Sequence, residues 1–170
     1  CAIVDSYMAS MALFRLTQQS EYAVLANRIY YNALLASQRP NGGFGCDLCS
    51  GTEQSGRFVQ ANTDVYEAWW CCSMRGAEGL CSAAANSILT EDGQIWFVHY
   101  LPGHFHTEQA DIDVKTNYPH ENRVQLSLRG IRRELQLHLY IPQGTKDVSV
   151  QINGQPQRVQ LSDFLRISVC

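Results

Sequence analysis

Apolar residues recur along the first part of the chain at helical spacing. Val4, Tyr7, Met8, Met11 and Phe14 form one stripe at i, i+3 and i+4 intervals. A second stripe carries Tyr22, Leu25, Ala26, Ile29, Tyr30, Ala33 and Leu34. Ser20 is the expected N-cap of that second helix, because its hydroxyl can accept from an exposed N–H. The stretch "RPNGGFG", residues 39–45, stops it, since Pro lacks a donor and Gly is costly inside a helix. Only "TQQS" separates the two helices, which predicts an antiparallel hairpin. Residues 40–68 are polar, Gly-rich and without period, a length at which loops are usually functional or disordered. A third helix is expected from about Cys72 to Ser87, ended by "EDG", residues 91–93.

Beyond Gly93 the period changes to two. "QIWFVHYLP", "DIDVKTNYP", "RVQLSLRG", "ELQLHLYIP", "DVSVQI", "QPQRVQL" and "FLRISV" alternate apolar and polar positions and read as strands. Asn153-Gly154 between two of them is a hairpin signal. Six or seven such strands predict an antiparallel β-sandwich. The fold class is therefore multi-domain, α then β, with domains at 1–92 and 93–170. Three helices and a long loop do not complete a helical domain. Paired helices on short turns suit the last part of a toroid or solenoid. Both ends are expected to continue into a longer protein, and the sandwich to be incomplete at its end.

Charge and hydropathy narrow the partners. The chain of 170 residues has a formal charge of -3 and pI near 5.9, which gives no sign of a nucleic-acid or membrane-surface partner. No run of 18 apolar residues exists, so no membrane span is expected. "CAIVDSYMAS" lacks the basic start and apolar block of a signal peptide, so any address is expected before Cys1.

Seven cysteines change the picture more: Cys1, Cys46, Cys49, Cys71, Cys72, Cys81 and Cys170. An odd number suits a full disulfide framework poorly. Neighbours such as Cys71 and Cys72 rarely bridge, because a disulfide wants Cα atoms about 5.5 Å apart and adjacent ones sit at about 3.8 Å. Reduced thiols fit better, and mildly favour a compartment that keeps them reduced. Cys71 and Cys72 fall at the start of the third helix, where partial positive charge and free N–H groups favour thiolates. A thiolate is both a nucleophile and a zinc ligand. The alternative is two small buried hydrophobes. "CDLC" gives Cys46 and Cys49 the C-x-x-C spacing, and with Cys71 and Cys72 they suit a structural four-sulfur zinc module that binds protein or carbohydrate. Cys81 reads as packing. His104 and His106 in "GHFH", and His99 and His138, read as surface or sandwich residues rather than ligands. Glu78 shares a helix face with Cys71 and reads as solvated or as an outer support. Trp69 and Trp70 suit a sugar platform or core packing equally.

The order of several segments resembles one family. "CAIVDSYMASMALFRLTQQSEYAVLANRIYYNALLAS", "WWCCSMRGAEGL", "SILTEDGQIWFVHYLP", "NYPHENRVQLSL", "LQLHLYIPQG" and "VSVQINGQPQ" together look like part of a glycoside hydrolase of the family 127 type, the β-L-arabinofuranosidase-like group. The resemblance implies the last helices of an (α/α)6 barrel followed by an antiparallel β-sandwich. It implies a retaining glycosidase acting on arabinofuranoside-containing glycans, with Zn2+ as cofactor. Carried over, Cys71 is nucleophile and zinc ligand, and Cys1 and Cys72 are further ligands. The family's glutamate ligand and its general acid/base would lie before Cys1. Glu53, Asp64 and Glu67 do not match that acid. The fragment alone is thus expected to be inactive.

Overall fold

A computed structural model of the chain describes residues 2–38, 42–44 and 70–170, and of Trp70 the backbone alone. The chain divides into two compact units, Cys1–Ala85 and Asn86–Cys170.

In the helical unit, α1 spans Ala2–Thr17 and α2 spans Ser20–Ile29. Val4, Tyr7, Met11 and Phe14 are buried as the period requires, whereas Met8 stays 38% exposed. Gln18 takes a left-handed φ of 54° and its N–H donates to the Phe14 carbonyl at 2.7 Å, which ends α1. Ser20 does not cap α2. Thr17 Oγ1 accepts from the Gln19 N–H at 3.3 Å, so the turn closes one residue early and Ser20 opens the helix. The buried face of α2 is also turned from its expected position: Ala23, Val24, Ala26 and Asn27 are inside, and Leu25 is 47% exposed. The small Ala23 and Ala26 let α2 pack directly against α1. The chain then continues through a π turn, Tyr30–Leu34, and a 3-10 turn, Leu35–Ser37. Tyr30 sits between Tyr7 at 6.4 Å and Tyr31 at 4.8 Å, centroid to centroid. Burial pushes the Tyr7 and Tyr30 hydroxyls above their ordinary range, so both stay neutral. α3 spans Trp70–Ala85, two residues earlier at each end than the pattern suggests.

The β unit holds nine strands: β1 Ile88–Glu91, β2 Gln94–Phe97, β3 Gly103–His106, β4 Asp111–Thr116, β5 Val124–Arg129, β6 Leu135–Tyr140, β7 Val150–Ile152, β8 Gln155–Gln157 and β9 Phe164–Val169. They form a four-stranded sheet β1-β2-β6-β9, a three-stranded sheet β3-β4-β5 and the ribbon β7-β8. The pairing is antiparallel except for β2 with β6, which is parallel. That exception follows from connectivity, because the whole of β3-β4-β5 lies between β2 and β6 and supplies the long crossover a parallel pair needs.

Two strands differ from the sequence expectation. "EDG" is not a helix stop: Asp92 and Gly93 form the two-residue turn of the β1-β2 hairpin, with Gly93 at φ 82°. "GHFH" is itself strand β3. Asn153 and Gly154, at φ 50° and 79°, make the expected hairpin between β7 and β8. Ile95, Phe97, Ile112, Val114, Leu135 and Leu137 bring both larger sheets into one core, beside Tyr100, whose hydroxyl donates to the Tyr140 carbonyl at 2.8 Å. Among the described residues no helix is long and apolar enough to cross a membrane.

Candidate active site at the start of helix α3

Cys71 and Cys72 are the second and third residues of α3. Helical geometry sends them to different sides. Cys72 shares its stripe with Gly76 and Gly79, at i+4 and i+7. That stripe is packed. A Cβ added at Gly79 would lie 2.9 Å from Val4 Cγ2 and 3.0 Å from Leu34 Cδ2, and one at Gly76 would lie 2.3 Å from the Phe44 ring. Glycine is required here because another helix and an aromatic ring approach the backbone closely. Cys72 is accordingly half-buried. Cys71 shares the other stripe, with Arg75 and Glu78, and is exposed.

Two further contacts hold this helix start. The Phe44 N–H donates to Ser73 Oγ at 3.1 Å, so Phe44, early in the 40–68 stretch, is fixed beside the thiols. Arg75 donates to Glu78 on its own helix and to Asp5 in the first turn of α1. The Glu78 hydrogen bond, with the Asp5 and Glu78 charges behind it, pushes the Arg75 guanidinium further above its already high range. Its positive charge is therefore permanent. Sequence reasoning singled out Glu78 but missed Asp5, Ser73 and Arg75. The i, i+3 pair Gly76 and Gly79 was the available signal for a tightly packed helix face.

The sulfurs of Cys71 and Cys72 stand 3.9 Å apart. A disulfide needs about 2.05 Å, so the two are not bridged to each other. Two thiolates sharing one tetrahedral zinc at about 2.3 Å each would sit about 3.8 Å apart, so the donor set and its spacing fit that ion. Among the described residues, no group of three or more His, Cys, Asp or Glu side chains is gathered to hold a metal. Cys1, Cys46, Cys49, Glu53, Asp64, Glu67 and Trp69, with the side chain of Trp70, lie outside the described residues. Cys81 does not pack inside as expected: it lies seven residues past Met74 on the outer side of α3 and is exposed. Cys170 is exposed as well.

The histidines of the β unit fall into two groups. His104 and His106 are exposed on β3 and face Asp113 and Asp111 across the strand pair, at 3.2 Å and 2.7 Å. His99 and His138 are buried. Burial pushes His99 down to about 3, and burial with the nearby Arg166 charge pushes His138 down to about 4, so both rings are neutral.

Residues 1–85 match the family model described as "Beta-L-arabinofuranosidase, GH127 catalytic domain". Residues 94–169 match that described as "Beta-L-arabinofuranosidase, GH127 middle domain". No curated protein matches the chain. The fold is similar to that of a GH127 β-L-arabinofuranosidase from Geobacillus stearothermophilus T6, at 18% identity and a TM-score of 0.70, over 98% of this chain and 28% of that one. It is also similar to a structure described as a glycoside hydrolase, at 19% identity and a TM-score of 0.79, over 99% and 30% of the two chains. A GH127 β-arabinofuranosidase matches at 18% identity and a TM-score of 0.71, again over 99% and 30%. The chain thus spans less than a third of the length of these structures. With the two family models covering both units in order, the chain belongs to the GH127 β-L-arabinofuranosidase family.

Proposed function

We propose that the chain is part of a retaining glycoside hydrolase acting on β-L-arabinofuranosides, with Cys71 as nucleophile. Its architecture is read as the end of an (α/α)6 barrel followed by a β-sandwich. The observation that carries this reading is the exposed Cys71 at a helix start, its sulfur 3.9 Å from that of Cys72, inside the segment matching the catalytic-domain model.

In the first step the Cys71 sulfur attacks the anomeric carbon. A C–S bond forms, the glycosidic C–O bond breaks, and the leaving oxygen takes a proton from a carboxylic acid outside this chain. Water, giving its proton to that same carboxylate, then forms a C–O bond as the C–S bond breaks; the two inversions give net retention and Cys71 regains its thiolate. Cys71, Cys72 and Cys1 would hold Zn2+, which when bound supplies positive charge that keeps the thiolates deprotonated. The first turn of α1, which begins one residue after Cys1, is tied to α3 through Asp5 and Arg75. With the acid read as lying outside these residues, the isolated 170 residues are expected to be inactive.

Zinc stoichiometry tests the site. The chain should bind one zinc, and Cys71→Ser or Cys72→Ser should weaken it strongly. Hydrolysis of an aryl β-L-arabinofuranoside by the purified chain, lost in Cys71→Ala, would overturn the inactivity and place the acid within these residues. A second reading has one observation in its favour. Phe44, two residues before Cys46, is held against Ser73 and Gly76, which suits a structural zinc module of Cys46, Cys49, Cys71 and Cys72. Loss of zinc in Cys49→Ser but not in Cys1→Ser would select it.

A further inference from the structure

Arg75 is one turn beyond Cys71 on the same stripe of α3, and its guanidinium joins carboxylates from two helices, Asp5 of α1 and Glu78 of α3. As a surface ion pair this arrangement would contribute little, because exposed pairs gain almost as much from water. Its geometry is more informative. The Gly76 and Gly79 stripe lets α3 lie close to Val4, Leu34 and Phe44, and a glycine-lined face sets how near the helix comes. That face admits the neighbouring side chains closely, and the fork adds a directional polar tie between the two helices. A planar fork held by two carboxylates resists sliding, because a shift of one residue, about 1.5 Å, breaks its paired geometry. Asp5 lies in the first turn of α1, and Cys71 and Cys72 open α3, so this fork ties the two helix starts to each other.

We propose that Arg75 is a positioning residue: through Asp5 and Glu78 it fixes the axial register of α3 on α1, and with it the places of the two thiols. For its consequence in catalysis and zinc binding the inference rests on the function proposed above. Glu78, expected from sequence to be solvated or an outer support, is in this reading the second anchor of the fork.

The test compares the 170-residue chain with Arg75→Gln, Asp5→Asn and Arg75→Lys variants. Two readouts are independent. In metal-free protein, mass spectrometry gives the ratio of alkylation rates at Cys71 and Cys72. In loaded protein, a chelator competition gives zinc affinity. The expected result is a changed alkylation ratio in Arg75→Gln and Asp5→Asn, zinc binding weaker by about 10–100-fold, and melting temperatures close to the parent. Arg75→Lys should fall between, since an ammonium is a point charge and cannot fork. An unchanged ratio in both Arg75→Gln and Asp5→Asn overturns the proposal, whether or not melting shifts, because a merely stabilising pair would lower melting alone. If the parent chain binds no zinc through Cys71 and Cys72, the proposed function fails at that point, while the alkylation ratio still decides whether Arg75 positions the thiols.

Discussion

Cys71 and His138 both carry side chains able to bind metals and hold protons, and the two units treat them in opposite ways. Cys71 stands exposed on the first turn of a helix whose other face is packed through glycines. His138 sits in the middle of β6, 2% exposed, stacked on Trp96 at 3.6 Å with an interplanar angle of 12°. Both of its ring nitrogens are buried without a hydrogen-bond partner. Trp96, His138 and Arg166 are opposite one another across β2, β6 and β9. A ligand or nucleophile needs an open lone pair; a stacked, enclosed imidazole offers none. What separates the two is the element that carries each side chain, more than its chemical type. A helix start leaves a side chain free at the end of a rigid rod, whereas a central strand position is covered on its face.

The acid side of the stability curve gives the largest expected effect. His138 and His99 have folded-state values of about 4 and about 3, against an ordinary value near 6.5. Below pH 6.5 the unfolded chain therefore binds protons that the folded one does not, and stability falls as pH falls. The loss begins near 6.5 and continues towards 4 for His138 and 3 for His99. Carboxylates titrate in the same range, so a variant isolates the histidine. His138→Leu should match the parent within about 1 kcal/mol at pH 7 and be clearly more stable than it at pH 4.5, by urea unfolding. Parallel curves for parent and variant would mean that His138 is not held neutral, and the contrast with Cys71 would lose its basis.

The sequence showed this contrast only in part. Apolar period two located β4 and β5, where one face is the better covered, as Ile112 and Val114 demonstrate, and also β6 and β9, although β6 buries Leu135 and Leu137 on one face and His138 and Tyr140 on the other. β3 was hidden because "GHFH" is short and half of it is imidazole, and its strand character comes from pairing with β4. β1 was hidden because Asp92-Gly93 serves equally as a helix stop and as a hairpin turn, and only β2 decides between them. His138 read as a strand residue, but its enclosure depends on Trp96, distant in sequence and itself packed edge-on against Phe164. At the helix start, the adjacent thiols were legible from spacing alone. The Asp5 to Arg75 tie was not, since 70 residues separate its partners and neither belongs to a motif.

A smaller effect sharpens the helical side of the comparison. In Gly76→Ala the new Cβ meets the Phe44 ring at 2.3 Å, so the ring must move. Overpacking of this kind costs about 1–3 kcal/mol. Alanine returns about 1 kcal/mol through its better helix propensity. The net destabilisation should be about 1 kcal/mol, read as a lower midpoint in urea followed at 222 nm. Displacing Phe44 also strains its N–H bond to Ser73, so Cys72 should become more accessible to alkylation. A Gly76→Ala chain as stable as the parent, with unchanged thiol accessibility, would show that the packed stripe does not define the site.

The smallest expected effect comes from the second arginine pair. Arg133, just before β6, donates to Asp92 in the turn of the β1-β2 hairpin at 3.1 Å, with side chains 54% and 90% exposed. It engages one carboxylate, and the place of the β6 entry beside that turn is already fixed by the β2-β6 ladder and by the Gln136 N–H donating to the Gly93 carbonyl at 2.8 Å. An exposed pair of this kind contributes about 0–1 kcal/mol. Arg133→Ala should therefore leave the urea midpoint within about 0.5 kcal/mol of the parent, and added salt should change neither protein differently. Arg75→Ala, measured beside it, should also cost little in stability, yet change the alkylation ratio of Cys71 to Cys72. The two arginines then differ in what they hold: Arg133 closes a contact that the backbone has already made, and Arg75 joins side chains of two helices that share no backbone ladder.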